Sequence, residues 1–254
     1  MEQQIIKGQV THENTQNQAI ESRFSSKLQN LRNQWQVEAK KIKSWRTVIP
    51  EGELTFNEFC ELLIAFGTIN MAKQGDLSLF VIDSQNENII RQLYYYLTYN
   101  SKFNGSLQKG ILLCGPFGTG KSILMRAFAS ILTDYAETET GQKRMAKVCK
   151  FIKSIDLFTE ITKSGLELPT KLINTALVID ELGREPQRAN IYGNELHPII
   201  SLLQERYDRG VITYAVSNFN LHALASDDKY GQMIGDRLRS MLNVVELLGD
   251  SRRK

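Results

Sequence analysis

The sequence predicts an α/β fold in which helices cover a parallel β-sheet, and three observations support it. Short apolar runs alternate with helical patterns through the second half of the 254-residue chain. Several of these runs are apolar throughout, as are parallel strands that are buried on both faces. The run at 111–114 leads into a glycine-rich loop and then into a helical pattern, which is the strand–loop–helix order of such sheets.

The N-terminal end of the chain is expected to be a tail followed by a helix. Residues 1–20 are polar and rich in Gln and Asn, which predicts a flexible tail. Over 21–46, apolar residues recur at spacings of three, four or seven, as on one face of a helix. Trp35 and Trp45 lie on this helix, where they either pack on the protein's own core or contact a partner.

Two further helices complete a mainly helical N-terminal region. Thr55 and Glu58 form a capping box, in which each residue satisfies a backbone N–H of the other at a helix start. A second helix fits 86–99, and its tyrosines at 94–96 are expected to pack in a core rather than to stack on bases. The turn-forming residues at 104–106 mark the end of this region.

The rest of the chain alternates between strands and helices. Gly165 and Gly210 are placed to end two of the helices. The predicted elements are a strand at 111–114, a helix at 123–129, a strand at 147–152, a helix at 155–164, a strand at 176–179, a helix at 194–209, a strand at 211–216 and a helix at 230–239.

The glycine-rich loop matches the P-loop pattern, which cradles the phosphates of a nucleotide. Its residues are Gly115, Pro116, Phe117, Gly118, Thr119, Gly120, Lys121 and Ser122. Glycines let several backbone N–H groups point at one anion, and the following helix adds the positive end of its dipole. Lys121 is expected to neutralise the β- and γ-phosphates of ATP, and the Ser122 hydroxyl to bind Mg²⁺.

Polar residues follow two other predicted strands, and strands of a parallel sheet end at a common edge. Ligands of such sheets bind at that edge. Asp180 is the expected second Mg²⁺ contact, and Glu181 beside it would polarise the attacking water. Asn218 follows the next strand, where it could hold that water or sense the γ-phosphate. The sequence therefore predicts a hydrolysis site.

Composition is that of a soluble globular protein. Apolar residues make up 42% and charged residues 23%, and the formal net charge of +3 neither demands nor excludes nucleic acid. No apolar run approaches the roughly 18 residues of a membrane span, and the first residues lack a signal-peptide pattern. Cys60, Cys114 and Cys149 lie in apolar settings and are expected to be buried thiols. We therefore expect a cytoplasmic protein.

Several segments together resemble the AAA+ helicase loaders of the DnaC type and their relatives, the transposition ATPases of the IstB type. The matching segments are GPFGTGKS at 115–122, ALVIDELGRE at 176–185, IISLLQERYDRGVITYAVSN at 199–218, YGQMIGDRLRS at 230–240 and GDSRR at 249–253. The resemblance covers about 105–254 and implies an AAA+ P-loop NTPase domain there. Only about 35 residues follow Asn218, so little or no C-terminal helical lid is expected.

The resemblance assigns roles to three arginines near the end of the chain. It implies that Arg237 is an arginine finger, which reaches the γ-phosphate bound by a neighbouring subunit, with Arg239 as the alternative. It places the sensor 2 arginine at Arg253, as a further nucleotide contact. A site completed in this way implies an ATP-dependent homo-oligomer.

The resemblance also implies partners. In a loader, residues 21–104 would bind a replicative helicase, and in the transposition relative they would bind a transposase. Single- or double-stranded DNA is the other implied ligand, in a ring channel. Basic residues flank the loops that could face it, and their phosphate contacts would weaken with salt. These residues are Lys153, Lys163, Lys171, Arg184 and Arg188.

Two other classes of function are less well supported. A small-molecule kinase would need an acceptor pocket and lid arginines, and the sequence shows neither. A structural protein with an inactive nucleotide site would not need Lys121, Ser122, Asp180 and Glu181, all of which are present. The sequence thus favours a slow ATP hydrolase that is stimulated by its partners.

Overall fold

The computed structural model describes residues 25–35, 48–50, 52–138, 149–165, 167–191 and 193–252. The chain divides into two compact units, 1–44 and 45–254. In the first unit, residues 25–35 form a helix, α1, on which the side chain of Trp35 is exposed. The tail expected at 1–20 and the side chain of Trp45 lie outside the described residues.

The second unit alternates strands and helices for most of its length. Its strands are β1 (Gly110–Cys114), β2 (Lys150–Lys153), β3 (Leu177–Asp180), β4 (Ala189–Ile191), β5 (Asn194–Leu196), β6 (Thr213–Ser217) and β7 (Leu242–Glu246). Its helices are α2 (Phe56–Ala72), α3 (Glu87–Leu97), α4 (Lys121–Thr138), α5 (Ser154–Lys163), α6 (Thr170–Ile173), α7 (Pro198–Asp208), α8 (Leu221–Leu224) and α9 (Gly231–Met241).

Five of the strands form one parallel sheet in the order β2-β3-β6-β1-β7. Strand β6 lies between β1 and β3, and Cys114 at the end of β1 is level with Ser217 at the end of β6. The loop after β1, the acidic pair after β3 and the polar turn after β6 therefore meet at one edge. The predicted α/β class with a parallel sheet covered by helices is confirmed.

Helices cover both faces of this sheet. Alternate residues of each buried strand point to opposite faces, so neighbouring residues belong to different cores. Leu113 of β1 belongs to the core beneath α2, α3 and α4. Leu112 belongs to the core beneath α5, α7 and α9. All five residues of β1 and of β6 are buried, as in the central strands of a parallel sheet.

Helices α2 and α3 share a core with the sheet rather than forming a separate region. The ring of Phe59 on α2 packs edge-on against Phe128 on α4, with centroids 6.4 Å apart. Tyr96 on α3 is fully buried and donates a hydrogen bond from its hydroxyl to the carbonyl of Lys109 at 2.8 Å. The tyrosines at 94–96 thus pack, as expected. The division of the chain expected at 104–106 stays a prediction.

The start of α2 follows the predicted capping box. Thr55 Oγ1 accepts from the backbone N–H of Glu58 at 3.3 Å, and Glu58 Oε2 accepts from the N–H of Thr55 at 2.7 Å. Two of the N–H groups that a helix start leaves without a backbone acceptor are satisfied in this way.

The helix predicted over 194–209 was placed too early. Residues Asn194–Leu196 form β5, which pairs antiparallel with β4, and α7 begins only at Pro198. Proline suits the first turn of a helix because its missing N–H would have no helical acceptor there. Gly193, with φ of +82°, supplies the turn between the two short strands.

Strand β7 was not predicted at all. Helix α9 passes directly into it at Leu242, which has extended backbone angles and no turn residue before it. Its five residues pair in register with β1, from Gly110 opposite Leu242 to Cys114 opposite Glu246. As an edge strand with a partly exposed face, it lacks the continuous apolar sequence of the central strands.

All three cysteines are free thiols, as predicted. Cys114 and Cys149 are buried, and burial raises the pKa of the first to about 11 and of the second to about 12. Cys60 is only partly buried. Within the described ranges, none of the helices is long and apolar enough to cross a membrane.

Candidate nucleotide site

The P-loop follows β1, and its last two residues, Lys121 and Ser122, begin α4, so the N-terminus of that helix faces the loop. Gly118 and Gly120 have φ values of +80° and +92°, which side-chain-bearing residues rarely adopt. A Cβ atom on Gly118 would lie 2.2 Å from Oγ of Ser251, so this position also has no room for a side chain. The loop has the curled backbone that an anion-binding cradle requires.

Lys121 lies along the inside of this loop and is 6% exposed. Its ammonium donates to the carbonyl of Pro116 at 2.5 Å and to Oγ1 of Thr119 at 3.4 Å. Both acceptors are uncharged, whereas hydrogen bonds between an ammonium and a phosphate oxygen are charge-assisted and stronger. Lys121 is therefore placed to exchange these acceptors for the phosphates of a nucleotide.

Ser122 and Asp180 supply two oxygen atoms to one position at the carboxyl edge of the sheet. The Ser122 hydroxyl donates to Oδ1 of Asp180 at 2.8 Å, and the Asp180 residue is 2% exposed. Burial raises the pKa of the Asp180 carboxyl above its ordinary value. Mg²⁺ prefers hydroxyl, carboxylate and phosphate oxygens, so this pair fits a magnesium ion carried in with a nucleotide.

Glu181 has an unusual backbone conformation for its residue type. Its φ is +58°, in the left-handed region where residues other than glycine are uncommon. Ser154 stabilises this turn by donating from its hydroxyl to the carbonyl of Glu181 at 3.0 Å. Backbone strain of this kind is often found at functional sites. Here it occurs directly after Asp180, the last residue of β3.

Asn218 follows β6 and is partly buried. Because β6 lies between β1 and β3, Asn218 occupies the part of the edge between the P-loop and the acidic pair. Two residues before Asn218, the carbonyl of Val216 accepts a hydrogen bond from the N–H of Leu182 at 2.9 Å. This bond connects the turn after β3 to β6. The strand order thus brings the predicted residues of three separate loops together.

The segment at 247–252 lies against the P-loop. Leu247 donates its N–H to the carbonyl of Cys114 at 2.8 Å, and Arg252 donates its N–H to the carbonyl of Gly118 at 2.9 Å. The Arg252 guanidinium is 2.7 Å from Oδ1 of Asp83, an ion pair that lowers the pKa of this carboxyl. Arg253, the predicted sensor 2 residue, lies outside the described residues.

No family model and no curated protein matches the sequence. Among solved structures, DnaI is 24% identical, with 76% of this chain and 93% of DnaI covered at a TM-score of 0.48. A primosome component of Streptococcus pyogenes is 17% identical, covering 68% and 85%, at a TM-score of 0.47. The DnaC helicase loader is 18% identical, covering 66% and 93%, at a TM-score of 0.45.

The candidate arginine finger lies on α9. This helix packs on one face of the sheet rather than at its carboxyl edge. The Arg237 guanidinium lies over the ring of Tyr207 on α7, 5.3 Å from the ring centroid. Arg239 is exposed, and its carbonyl accepts from the ammonium of Lys109 at 2.8 Å. A role of either arginine at a neighbouring subunit remains a prediction.

The five basic residues expected to face DNA differ in their surroundings. Lys153 and Lys163 are exposed. The other three form ion pairs with carboxylates of the same chain. These pairs are Lys171 with Glu160 at 2.6 Å, Arg184 with Glu181 at 3.1 Å, and Arg188 with Glu195 at 3.2 Å.

Proposed function

We propose that this chain is an AAA+ ATPase that loads a replicative helicase onto DNA during DNA replication. The observation that carries the proposal is the convergence of Lys121, Ser122, Asp180 and Glu181 at one edge of a parallel sheet. These residues come from two separate loops, and together they offer a cation, two metal-binding oxygens and a carboxylate. The segments that resemble the helicase loaders supply the more specific part of the proposal.

The residues act on ATP in the following way. Backbone N–H groups of the P-loop and the ammonium of Lys121 bind the β- and γ-phosphates. Ser122 and Asp180 would hold Mg²⁺, which would neutralise part of the phosphate charge. Glu181 orients a water for attack on the γ-phosphorus and accepts its proton, while the bond from that phosphorus to the oxygen of the departing ADP breaks. Asn218 would help to hold the water.

A loader uses this reaction as a switch. Arg237 of a neighbouring copy would contact the γ-phosphate, so that ATP holds an oligomer together and hydrolysis releases it. A guanidinium that stabilises the charge of the transition state is worth a large factor in rate. Turnover is therefore slow in the isolated chain and rises when a partner or DNA favours the assembled state.

Two substitutions test the hydrolysis site. Lys121→Ala is expected to abolish ATP binding, because the phosphates lose their buried cation. Glu181→Gln is expected to keep ATP binding and to lower turnover roughly 100-fold or more, because an amide cannot accept the proton. Binding is measured by titration with a fluorescent ATP analogue, and turnover by phosphate release.

Glu195→Gln is the matched control, because Glu195 is an exposed carboxylate that pairs with Arg188 instead. It is expected to turn over ATP like the unchanged chain. Turnover at the unchanged rate in Glu181→Gln would contradict the role of Glu181 as the base.

The partner is tested with the full chain, purified replicative helicase and purified transposase in the presence of ATP. The helicase is expected to co-elute with the chain, and the transposase is not. The exposed Trp35 on α1 supports a contact there, so Trp35→Ala is expected to weaken the complex. Ile155→Ala is the control, since Ile155 is 43% exposed and lies outside the region 21–104. Recovery of the transposase instead would replace loading by transposition.

DNA binding is tested by its salt dependence. Lys153→Ala and Lys163→Ala are each expected to weaken binding of a single-stranded oligonucleotide and to reduce the slope of log affinity against log salt by about 1. An affinity that stays unchanged from low to moderate salt would contradict phosphate binding by these lysines.

A further inference from the structure

Glu185 is a buried carboxylate four residues beyond Glu181, and it has two hydrogen-bond donors. The residue is 4% exposed. Its Oε2 accepts from the backbone N–H of Gly183 at 3.0 Å, and its Oε1 accepts from the hydroxyl of Tyr230. A buried carboxylate is costly unless such partners are present, so this arrangement constrains the turn that follows β3.

A second contact joins the same two segments. The ammonium of Lys229 donates to the carbonyl of Gly183 at 2.7 Å and lies 4.4 Å from the centroid of the Phe219 ring. Gly183 has φ of +91°, and a Cβ there would lie 2.7 Å from the Leu224 side chain. The N–H of Gly183 thus bonds to Glu185, and its carbonyl bonds to Lys229, which precedes α9.

The two contacts connect the candidate catalytic turn to the start of α9. Tyr230 is the N-cap residue of α9, and the Tyr230 residue is 5% exposed. Arg237 lies seven residues further along this helix, about 10 Å at 1.5 Å per residue. A helix is stiff over this length, so the position of Tyr230 determines the position of Arg237.

We propose that Glu185 is a positioning residue that holds the turn of Glu181 and helix α9 as one rigid unit. This inference rests on the proposed function, because it concerns the two halves of its hydrolysis site. Glu181 serves the nucleotide of its own subunit, and Arg237 serves that of the neighbour. A movement at either position is then transmitted through Glu185 and Tyr230 to the other.

The first experiment compares turnover and ATP affinity in three variants of the full chain. Glu185→Ala is expected to lower kcat roughly 10- to 100-fold with ATP affinity unchanged, because a misplaced catalytic group slows chemistry without removing the P-loop contacts. Glu185→Gln is expected to recover part of this loss, since its amide oxygen still accepts one hydrogen bond. Tyr230→Phe removes a single hydroxyl and is expected to lower kcat in the same direction.

A purely structural role predicts a different result. It would lower the melting temperature of Glu185→Ala, but the kcat of the folded fraction would stay that of the unchanged chain. That result, measured well below the melting temperature, would overturn the proposal. If Glu185→Ala does not fold, an unchanged kcat in Tyr230→Phe overturns it instead.

The second experiment mixes variants to separate the two halves of the site. Arg237→Ala keeps its own Glu181 and lacks the finger, while Glu181→Gln lacks the base and keeps the finger. Mixing these two is expected to restore turnover, because the intact Glu181 of one variant meets the intact Arg237 of the other. This pair tests the proposed function alone, and absence of restoration would overturn the role of Arg237 in a neighbouring site.

The decisive mixture combines Glu185→Ala with Arg237→Ala. The Arg237→Ala subunit again supplies an intact Glu181. Restoration of turnover therefore depends only on Arg237 of the Glu185→Ala subunit. If Glu185 positions α9, turnover is expected to stay at least about fivefold below that of the control mixture. Restoration equal to the control would show that Glu185 acts on Glu181 alone and would overturn the coupling.

Discussion

A guanidinium nitrogen of Arg184 lies 3.1 Å from Oε1 of Glu181, within the turn that follows β3. The two side chains are 49% and 33% exposed, so solvent and other charges have access to this ion pair. Glu181 is the carboxylate that the proposed reaction needs for its water. In the structure, one of its oxygens is engaged by a cation from its own chain.

Removal of this cation is expected to raise turnover in the absence of DNA. Arg184→Ala frees the Glu181 carboxylate, and an exposed ion pair is worth about 0.2–1 kcal/mol, so an increase of up to about fivefold is expected. Phosphate release without DNA measures it. Arg188→Ala is the control, because Arg188 pairs with Glu195 outside the site. A rate at or below that of the unchanged chain would show that Arg184 does not restrain Glu181.

The Ser122 hydroxyl is expected to matter for nucleotide binding only when magnesium is present. Ser122→Ala removes one of the two oxygens placed for the ion, so ATP affinity should fall in magnesium and change little in EDTA. Titration with a fluorescent ATP analogue in both buffers measures the difference. Ser130→Ala is the control on the same helix, since the Ser130 hydroxyl donates to the carbonyl of Arg126 instead. Equal losses in both buffers would exclude a metal-binding role.

The shared core of α2 and the sheet predicts the effect of truncating Phe59. Phe59→Ala is expected to lower the free energy of unfolding by about 3–5 kcal/mol, because the fully buried ring packs against Phe128. Ile64→Ala on the same helix is the control, since Ile64 is exposed and should cost far less. Urea denaturation measures both. A loss for Phe59→Ala no larger than the control's would argue that α2 is separate from the sheet.

Much of the sheet and the site could be predicted because the decisive signals are local. The P-loop, the acidic pair and Asn218 each follow a buried strand, and parallel strands end at one edge. The capping box of Thr55 and Glu58 is equally local. The convergence of the P-loop, the acidic pair and Asn218 at one edge therefore follows from the sequence alone.

The features that the sequence did not reveal depend on contacts between distant segments. Strand β7 is a strand because it pairs with β1, and its own sequence is only partly apolar. The pairing of Asp83 with Arg252 joins residues 169 positions apart. In the sequence, Glu185 is only one more acidic residue of the segment at 176–185. Its hydrogen bond with Tyr230 is seen only in the structure.

A buried cation in α7 leads to the last prediction. Arg206 is fully buried, and its guanidinium donates to Oγ1 of Thr213 at 2.9 Å and to the carbonyls of Leu172, Thr175 and Ile212. Burial lowers the pKa of Arg206 to about 9. Arg206→Lys is expected to lower the free energy of unfolding by at least about 2 kcal/mol, because an ammonium cannot reach all four acceptors. Arg209→Lys, an exposed residue paired with Glu205, is the control in the same urea titrations. Equal stability of the two variants would show that the fork geometry of Arg206 does not stabilise this face of the sheet.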